Sequence, residues 1–492
     1  MRIFQVNKPA VDGTLERAFA TEEVILSGTI DRGYGIVFYA YPLFLCLYKR
    51  SEVMESKKEL KRNLGAAAAL ATVVGSVIGS GVFFKPQAIY TATGGAPGLG
   101  MIAWIITGLA SIAGALTFAE VAIMIPKTGG MVAYLKEIYS PLVGFLAGWV
   151  QTLLFYPAMI SALAVACAQQ AALFVGEGFT VPIAIGVIIV LILLNSLGSK
   201  VGGSVQVVFT VCKLIPLFVL MVFGFLKGSG AYPIFTPLVG EGLNPAVVLG
   251  QLMVAILFAF EGWTNVGAIA GEMKRPARDL PIAIVGGVSL IMAVYFIINI
   301  AYLNVMPASE LAQLQAPASA VAIKVFGEIG GKVIAVGIMV SVFGACNGFV
   351  LSGSRVAYSL AREGDLPFSK GLGKLNKSQV PANCITLVGM IGAIYAISGQ
   401  FNLLTDLAVF SSWTFYTLTF MGVIKLRKDR PDAERTYRVP LYPVIPIIAI
   451  VSGIYVIINQ IFLSGIQSTL LALGSIIITL IGLPIGLKLK KK

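Results

Sequence analysis

Two short stretches inside apolar runs carry residue types that could hold the two ends of a zwitterion. The first, Val77-Ile78-Gly79-Ser80-Gly81, interrupts a run from about Ala66 to Ile89. Gly79 and Gly81 let the backbone leave helical geometry at little steric cost. Amides freed where the helix restarts present the positive end of its dipole, which suits a carboxylate. Ser76 and Ser80 add hydroxyl donors beside Val77. The second stretch, Phe260-Glu261-Gly262-Trp263, interrupts a run from about Pro245 to Ala270. An unwound turn there leaves carbonyls of Phe258, Ala259 and Glu261 as acceptors for an ammonium. Phe258 is a candidate aromatic gate, and Glu261 is a carboxylate in the middle of an apolar run. It could meet the amine, carry a proton, or pair with a neighbouring polar group.

The bland reading of the first stretch is that Gly75-x-x-x-Gly79 lets two helices pack closely. The matching break in the second run tips the balance toward binding. A helix interrupted in lipid strands backbone groups, which is tolerated only where the gap is buried in protein or lines a cavity. Matched interruptions in two halves of a membrane chain point to a transporter's binding site. Lys213 stands about ten residues inside its own apolar run, roughly 15 Å deep at 1.5 Å per residue. A buried ammonium needs partners, for which Ser341, Tyr295 and carbonyls of the first run are candidates. A structural tether between helices is the alternative.

These residues must be positioned by membrane helices. The chain has 492 residues, 57% hydrophobic and 12% charged, with a mean hydropathy of +0.88. Twelve apolar runs of about 20 residues, the length that spans a bilayer, can be counted. They centre near residues 78, 111, 155, 189, 214, 258, 293, 345, 388, 414, 451 and 477. The net charge of +13 suggests nucleic acid until its distribution is seen. Lys and Arg cluster in alternate loops, the pattern that places both termini in the cytosol, so the basic balance is topology rather than nucleic-acid binding. The five cysteines lie in or beside apolar segments without metal or disulfide spacing, and histidine is absent. No metal, cofactor, or nucleophile–base pair is implied, so catalysis is not expected. A channel would need a repeated filter motif, and none is visible.

The first five runs (66–226) and the next five (245–424) are of similar length, and each set opens with a broken helix. Five is odd, so the second set enters from the opposite face, which makes an inverted repeat. The last two runs (441–488) lie outside it, and the whole of 66–488 reads as one twelve-helix domain. Residues 1–53 differ in character and precede a short charged cytosolic segment, 54–65. They are either a translated leader ahead of a start at Met54 or an ordinary disordered tail. Three mixed-charge signatures fall on the cytosolic side: Glu120 with Pro126-Lys127-Thr128-Gly129-Gly130, then Gly271-Glu272-Met273-Lys274-Arg275-Pro276, then Arg355 with Ala361-Arg362-Glu363-Gly364-Asp365. Their charges either form ion pairs that close an inner gate or only set topology and loop order.

The ordered combination VIGSGVF, IPKTGG, FAFEGW, GEMKRP and AREGDLP resembles the L-amino acid transporter family of the amino acid–polyamine–organocation superfamily, over about 60–488. Within it the chain is most similar to bacterial exchangers of alanine, serine, threonine and cysteine. The resemblance implies an all-α membrane protein with the bacterial leucine-transporter fold: twelve transmembrane helices, a five-plus-five inverted repeat, and broken helices 1 and 6. It implies a multi-pass protein of the cell membrane that exchanges small neutral L-amino acids without sodium. Ser76, Val77, Ser80 and Gly81 would contact the α-carboxylate, and carbonyls of Phe258, Ala259 and Glu261 the α-amine. Lys213 matches the family's helix 5 lysine, and Trp413 falls where members place a residue near the pocket. Animal members bind a glycoprotein heavy chain through a cysteine between helices 3 and 4. Here that loop reads Gly176-Glu177-Gly178-Phe179-Thr180, so no disulfide-linked partner is expected. Glu261 replaces a residue that is neutral in many members, which keeps a cationic amino acid, polyamine or proton-coupled cargo open.

Overall fold

The computed structural model describes residues 65–125, 130–198, 214–264 and 274–489, and every regular element among them is helical. The first apolar run forms α1 (Ala66–Val77) and α2 (Gly81–Ala92), separated by Ile78, Gly79 and Ser80. α3 (Gly98–Met124) is followed by the short α4 (Met131–Ile138). α5 (Pro141–Val150) continues through one π turn, Gln151–Phe155, into α6 (Tyr156–Val175). After α7 (Thr180–Leu197) and α8 (Leu214–Lys227) comes α9 (Pro245–Phe260), which stops where Glu261 turns extended. The chain proceeds through α10 (Pro276–Val305), α11 (Pro317–Glu363), α12 (Ala382–Ala396), α13 (Phe401–Asp429), α14 (Val444–Ile458) and α15 (Ile466–Leu489). α11 bends at Gly327, whose φ of 76° suits glycine.

Among the described residues, eight helical stretches are long and apolar enough to cross a bilayer, and α8, α9 and α12 are shorter apolar helices. Helices are forced here because hydrocarbon offers no partner to a backbone N–H or C=O. Burial sorts them into centre and rim. The most apolar windows of α3 and α13 are 72% buried, whereas those of α7 and α15 are 22% buried. The rim exposes Leu193, Leu197, Leu470 and Ile481. An apolar surface of that extent fits lipid rather than water. At the centre α10 packs on α1 and α3, while α9 packs on α2, α3 and α13. α11 lies along α6, and α14 covers α13 and α3.

Of the cytosolic mixed-charge signatures, which suit loops, Glu120 lies inside α3, and Arg355, Ala361, Arg362 and Glu363 lie inside α11. Helical hydrogen bonding runs on past the apolar window, and Glu120 is neutralised by arginines brought in from elsewhere. Several expectations lie outside the described residues: the division of 1–53 from 54–64, Lys213, residues 126–129, and residues 271–273.

Candidate functional site

Gly81 is where the two interrupted helices touch. A Cβ added there would stand 2.5 Å from Ala259 Cα, a backbone atom with no freedom to step aside. The first residue of α2 therefore presses on the last turn of α9. At Gly79 an added Cβ would meet only Val77 O, at 3.7 Å. Neither glycine has a left-handed φ, so close approach at Gly81, rather than conformational freedom, is what demands glycine.

Tyr295, on α10, ties the two breaks together. Its hydroxyl lies 3.3 Å from Val77 O and 3.1 Å from Ala259 O, so its one proton is shared between the ends of α1 and α9. Trp104 at 5.3 Å and Phe260 at 5.5 Å hold the ring in place. Sequence pointed to Tyr295 as one candidate partner for Lys213, which lies outside the described residues; among the described residues its hydroxyl meets the helix breaks.

The α2 side of the junction offers donors. A helix's first amides have no acceptor within the helix, and Ser80 Oγ is buried without a hydrogen-bond partner among the described residues. Ser76 lies on the last turn of α1. The α9 side offers acceptors. Phe258 O accepts from the Glu261 amide at 3.1 Å and Ala259 O from Tyr295, which leaves each a second lone pair. Positive and negative ends of the two helices thus face one junction.

Glu261 is 5% exposed. Its Oε1 accepts from the Tyr416 hydroxyl at 2.8 Å, and its Oε2 is buried with no hydrogen-bond partner among the described residues. Trp263 packs 5.1 Å from the Tyr416 ring, with Phe118 5.5 Å from Trp263. Trp413 stands 6.2 Å from Tyr416, so it reaches Glu261 through that ring. Ser341 is buried on α11, its hydroxyl without a partner among the described residues. On the same helix, Cys346 Sγ lies 3.4 Å from Ile160 O of α6.

Two charged clusters matter here: the first went unrecognised in the sequence, and of the second the sequence singled out Glu120 and Glu363 but not their partners. Lys85, fully buried on α2, donates to Thr405 at 2.6 Å and Asn402 at 3.3 Å, and lies 3.6 Å from Asp406. Its ammonium sits 5.3 Å from the Phe258 ring centre and 5.4 Å from that of Phe401. An ionisable residue seven positions beyond Ile78 in an apolar run was the available signal. At the opposite end of α13, Glu120 accepts from Arg427 at 2.8 and 2.7 Å and from the Val439 amide at 2.7 Å. Arg435 Nε approaches to 3.6 Å. Lys136 to Glu363 and Arg430 to Glu137 add exposed pairs, at 2.5 and 2.8 Å, across the same end. Exposed pairs of this kind contribute about 1 kcal/mol at most.

The sequence profile of the amino acid permease family matches residues 64–483. A serine/threonine exchanger of Bacillus subtilis is 39% identical over 437 residues, 88% of this chain and 98% of that protein. The b(0,+)-type amino acid transporter 1 of Homo sapiens is 32% identical over 393 residues, 78% of this chain and 79% of that protein. The Asc-type amino acid transporter 1 of Mus musculus is 28% identical over 439 residues, covering 87% and 81%.

Proposed function

Because the chain belongs to the amino acid permease family, we propose that the junction of α1, α2 and α9 is the central site of a sodium-independent exchanger of small neutral L-amino acids. The observation that carries this reading is the contact of Gly81 with Ala259, bridged by Tyr295. It brings helix-start donors and helix-end carbonyls to one point, complementary to an α-carboxylate and an α-ammonium. Ser76, Val77, Ser80 and Gly81 serve the carboxylate; Phe258, Ala259 and Glu261 serve the amine, with Gly262 in the turn. Lys213, Ser341 and Trp413 act around this site in coupling and gating. Likeness to a serine/threonine exchanger favours small cargo, and the matched breaks favour twelve spans with a five-plus-five inverted repeat. Loop charge favours cytosolic termini. The 176–180 loop has no cysteine, which favours action without a disulfide-linked heavy subunit.

Cationic cargo is the second reading, favoured by the unpartnered Oε2 of Glu261. Proteoliposomes preloaded with alanine are expected to take up labelled alanine in sodium-free buffer, and excess lysine is not expected to compete. Uptake into empty vesicles, raised by a proton gradient, would instead identify a symporter; strong competition by lysine would establish the cationic reading.

Tyr295→Phe should lower exchange roughly tenfold, because a buried carbonyl deprived of its donor costs about 1–3 kcal/mol. The measurement is exchange rate per folded molecule, with elution profile as the folding control. Full-rate exchange would remove Tyr295 from the site.

A further inference from the structure

The segment between α11 and α12 carries apolar surface and charge that the central junction does not use. It begins at Gly364, whose φ of 83° ends α11, and passes through one helical turn, Ser369–Leu372. Phe368, just ahead of that turn, is 88% exposed, and its φ of 61° is a conformation that bulky residues rarely adopt. The fold nevertheless fixes it in place. Ser369 Oγ accepts from the Leu366 amide at 3.1 Å, and Asn383 of α12 donates to Gly371 O at 2.8 Å. Lys370, Lys374 and Lys377 are all exposed. None of them forms an ion pair among the described residues. Glu363 is taken by Lys136, which also attracts Asp365, and no acidic residue follows Asp365 until Asp406.

The depth of this segment in the membrane is set by α7. Asn376 donates to Ser196 O, on the last turn of α7, at 2.7 Å. Its Oδ1 accepts from the Ser378 and Val380 amides at 2.9 and 3.1 Å, which holds the segment to that anchor. α7 belongs to the lipid-facing rim, and Leu193 and Leu197 beside Ser196 are 61% and 65% exposed. The tethered segment therefore stands where the apolar rim ends, at the level of the headgroups. We propose that residues 366–380 form a docking surface for anionic phospholipid, with Phe368 entering the leaflet and Lys370, Lys374 and Lys377 meeting the phosphates. Lipid relieves the exposed ring of its contact with water. Unpaired lysines at the membrane surface are drawn to a leaflet of net negative charge, which zwitterionic lipid lacks. Lipid bound there holds the ends of α7, α11 and α12 together.

The test uses the full chain in lipid bilayers. Phe368→Trp adds one indole to the four tryptophans of the wild type, whose signal is the background. Phosphatidylcholine brominated on its acyl chains is the quencher. The added indole should be quenched in bilayers that contain phosphatidylglycerol, and much less in phosphatidylcholine alone. Lys370→Gln, Lys374→Gln and Lys377→Gln combined should erase that difference, since each lysine near an anionic surface contributes roughly fivefold to binding. High salt should weaken it as well. An elution profile unchanged from wild type is the folding control, and no readout depends on what the protein transports. Absence of quenching in both bilayers would place Phe368 in water or against another protein. Equal quenching in both, unmoved by the lysine substitutions, would mean apolar anchoring without headgroup recognition. Either result overturns the proposal.

Discussion

Gly81→Ala should cost the protein its transport while leaving it folded and in the membrane. The added methyl would stand 2.5 Å from both Ala259 Cα and Ala259 Cβ, closer than any real Cβ contact, so α2 and α9 must part. Overpacking of this kind costs about 1–3 kcal/mol, and in binding terms that is roughly a ten- to hundredfold loss. The parting also pulls Val77 O and Ala259 O away from the single Tyr295 hydroxyl that bridges them. Two companion variants sharpen the test. Gly79→Ala meets only an ordinary contact at 3.7 Å and should keep most of its activity. Ala259→Gly should fail to rescue Gly81→Ala, because the Cα remains when the methyl is gone. Serine binding and exchange in reconstituted protein are the readouts. Normal binding by Gly81→Ala would place the cargo elsewhere.

Glu120→Ala should give the largest loss of stability. Glu120 is 1% exposed and is the shared partner of Arg427, Arg435 and the Val439 amide. Removing the carboxylate leaves Arg435, only 4% exposed, without its counter-charge and Val439 without its acceptor. Breaking a buried pair from one side costs about 3–5 kcal/mol; the figure sits toward the lower end because Arg427 is 20% exposed. A drop in thermal midpoint on the order of 10 °C follows, measured on detergent-solubilised full chain. The double variant Glu120→Ala with Arg427→Ala should lose less than the sum of the singles. A midpoint unchanged from wild type would mean that water satisfies the arginines. The cluster also ties the segment after α13 to α3, with the Arg427 guanidinium 3.8 Å from the Tyr442 ring centre and Tyr437 donating to Leu116 O at 3.3 Å. Of the two roles the sequence left open for Glu120, ion pairing is the one its surroundings support.

Much of the architecture was legible in order along the chain. Apolar runs of membrane length force helices, because an unpaired backbone group in hydrocarbon has no alternative partner. The breaks at Ile78–Ser80 and after Phe260 were legible for a similar reason: glycine pairs and a lone carboxylate are local departures from an otherwise uniform pattern. What the sequence could not supply is which groups meet. Tyr295 is 36 positions from Ala259 and 218 from Val77, and no periodicity encodes such a contact. Lys85 and Asp406 lie in apolar runs more than 300 residues apart, each an isolated charge until helix packing puts them 3.6 Å from one another. Tyr416 likewise became a partner of Glu261 only through the approach of α13 to α9. Local composition sets where a helix forms and where it fails, since those costs are paid within a few residues. The choice of partner for each buried polar group belongs to the tertiary structure, because desolvation is relieved only by whatever the packed neighbours present.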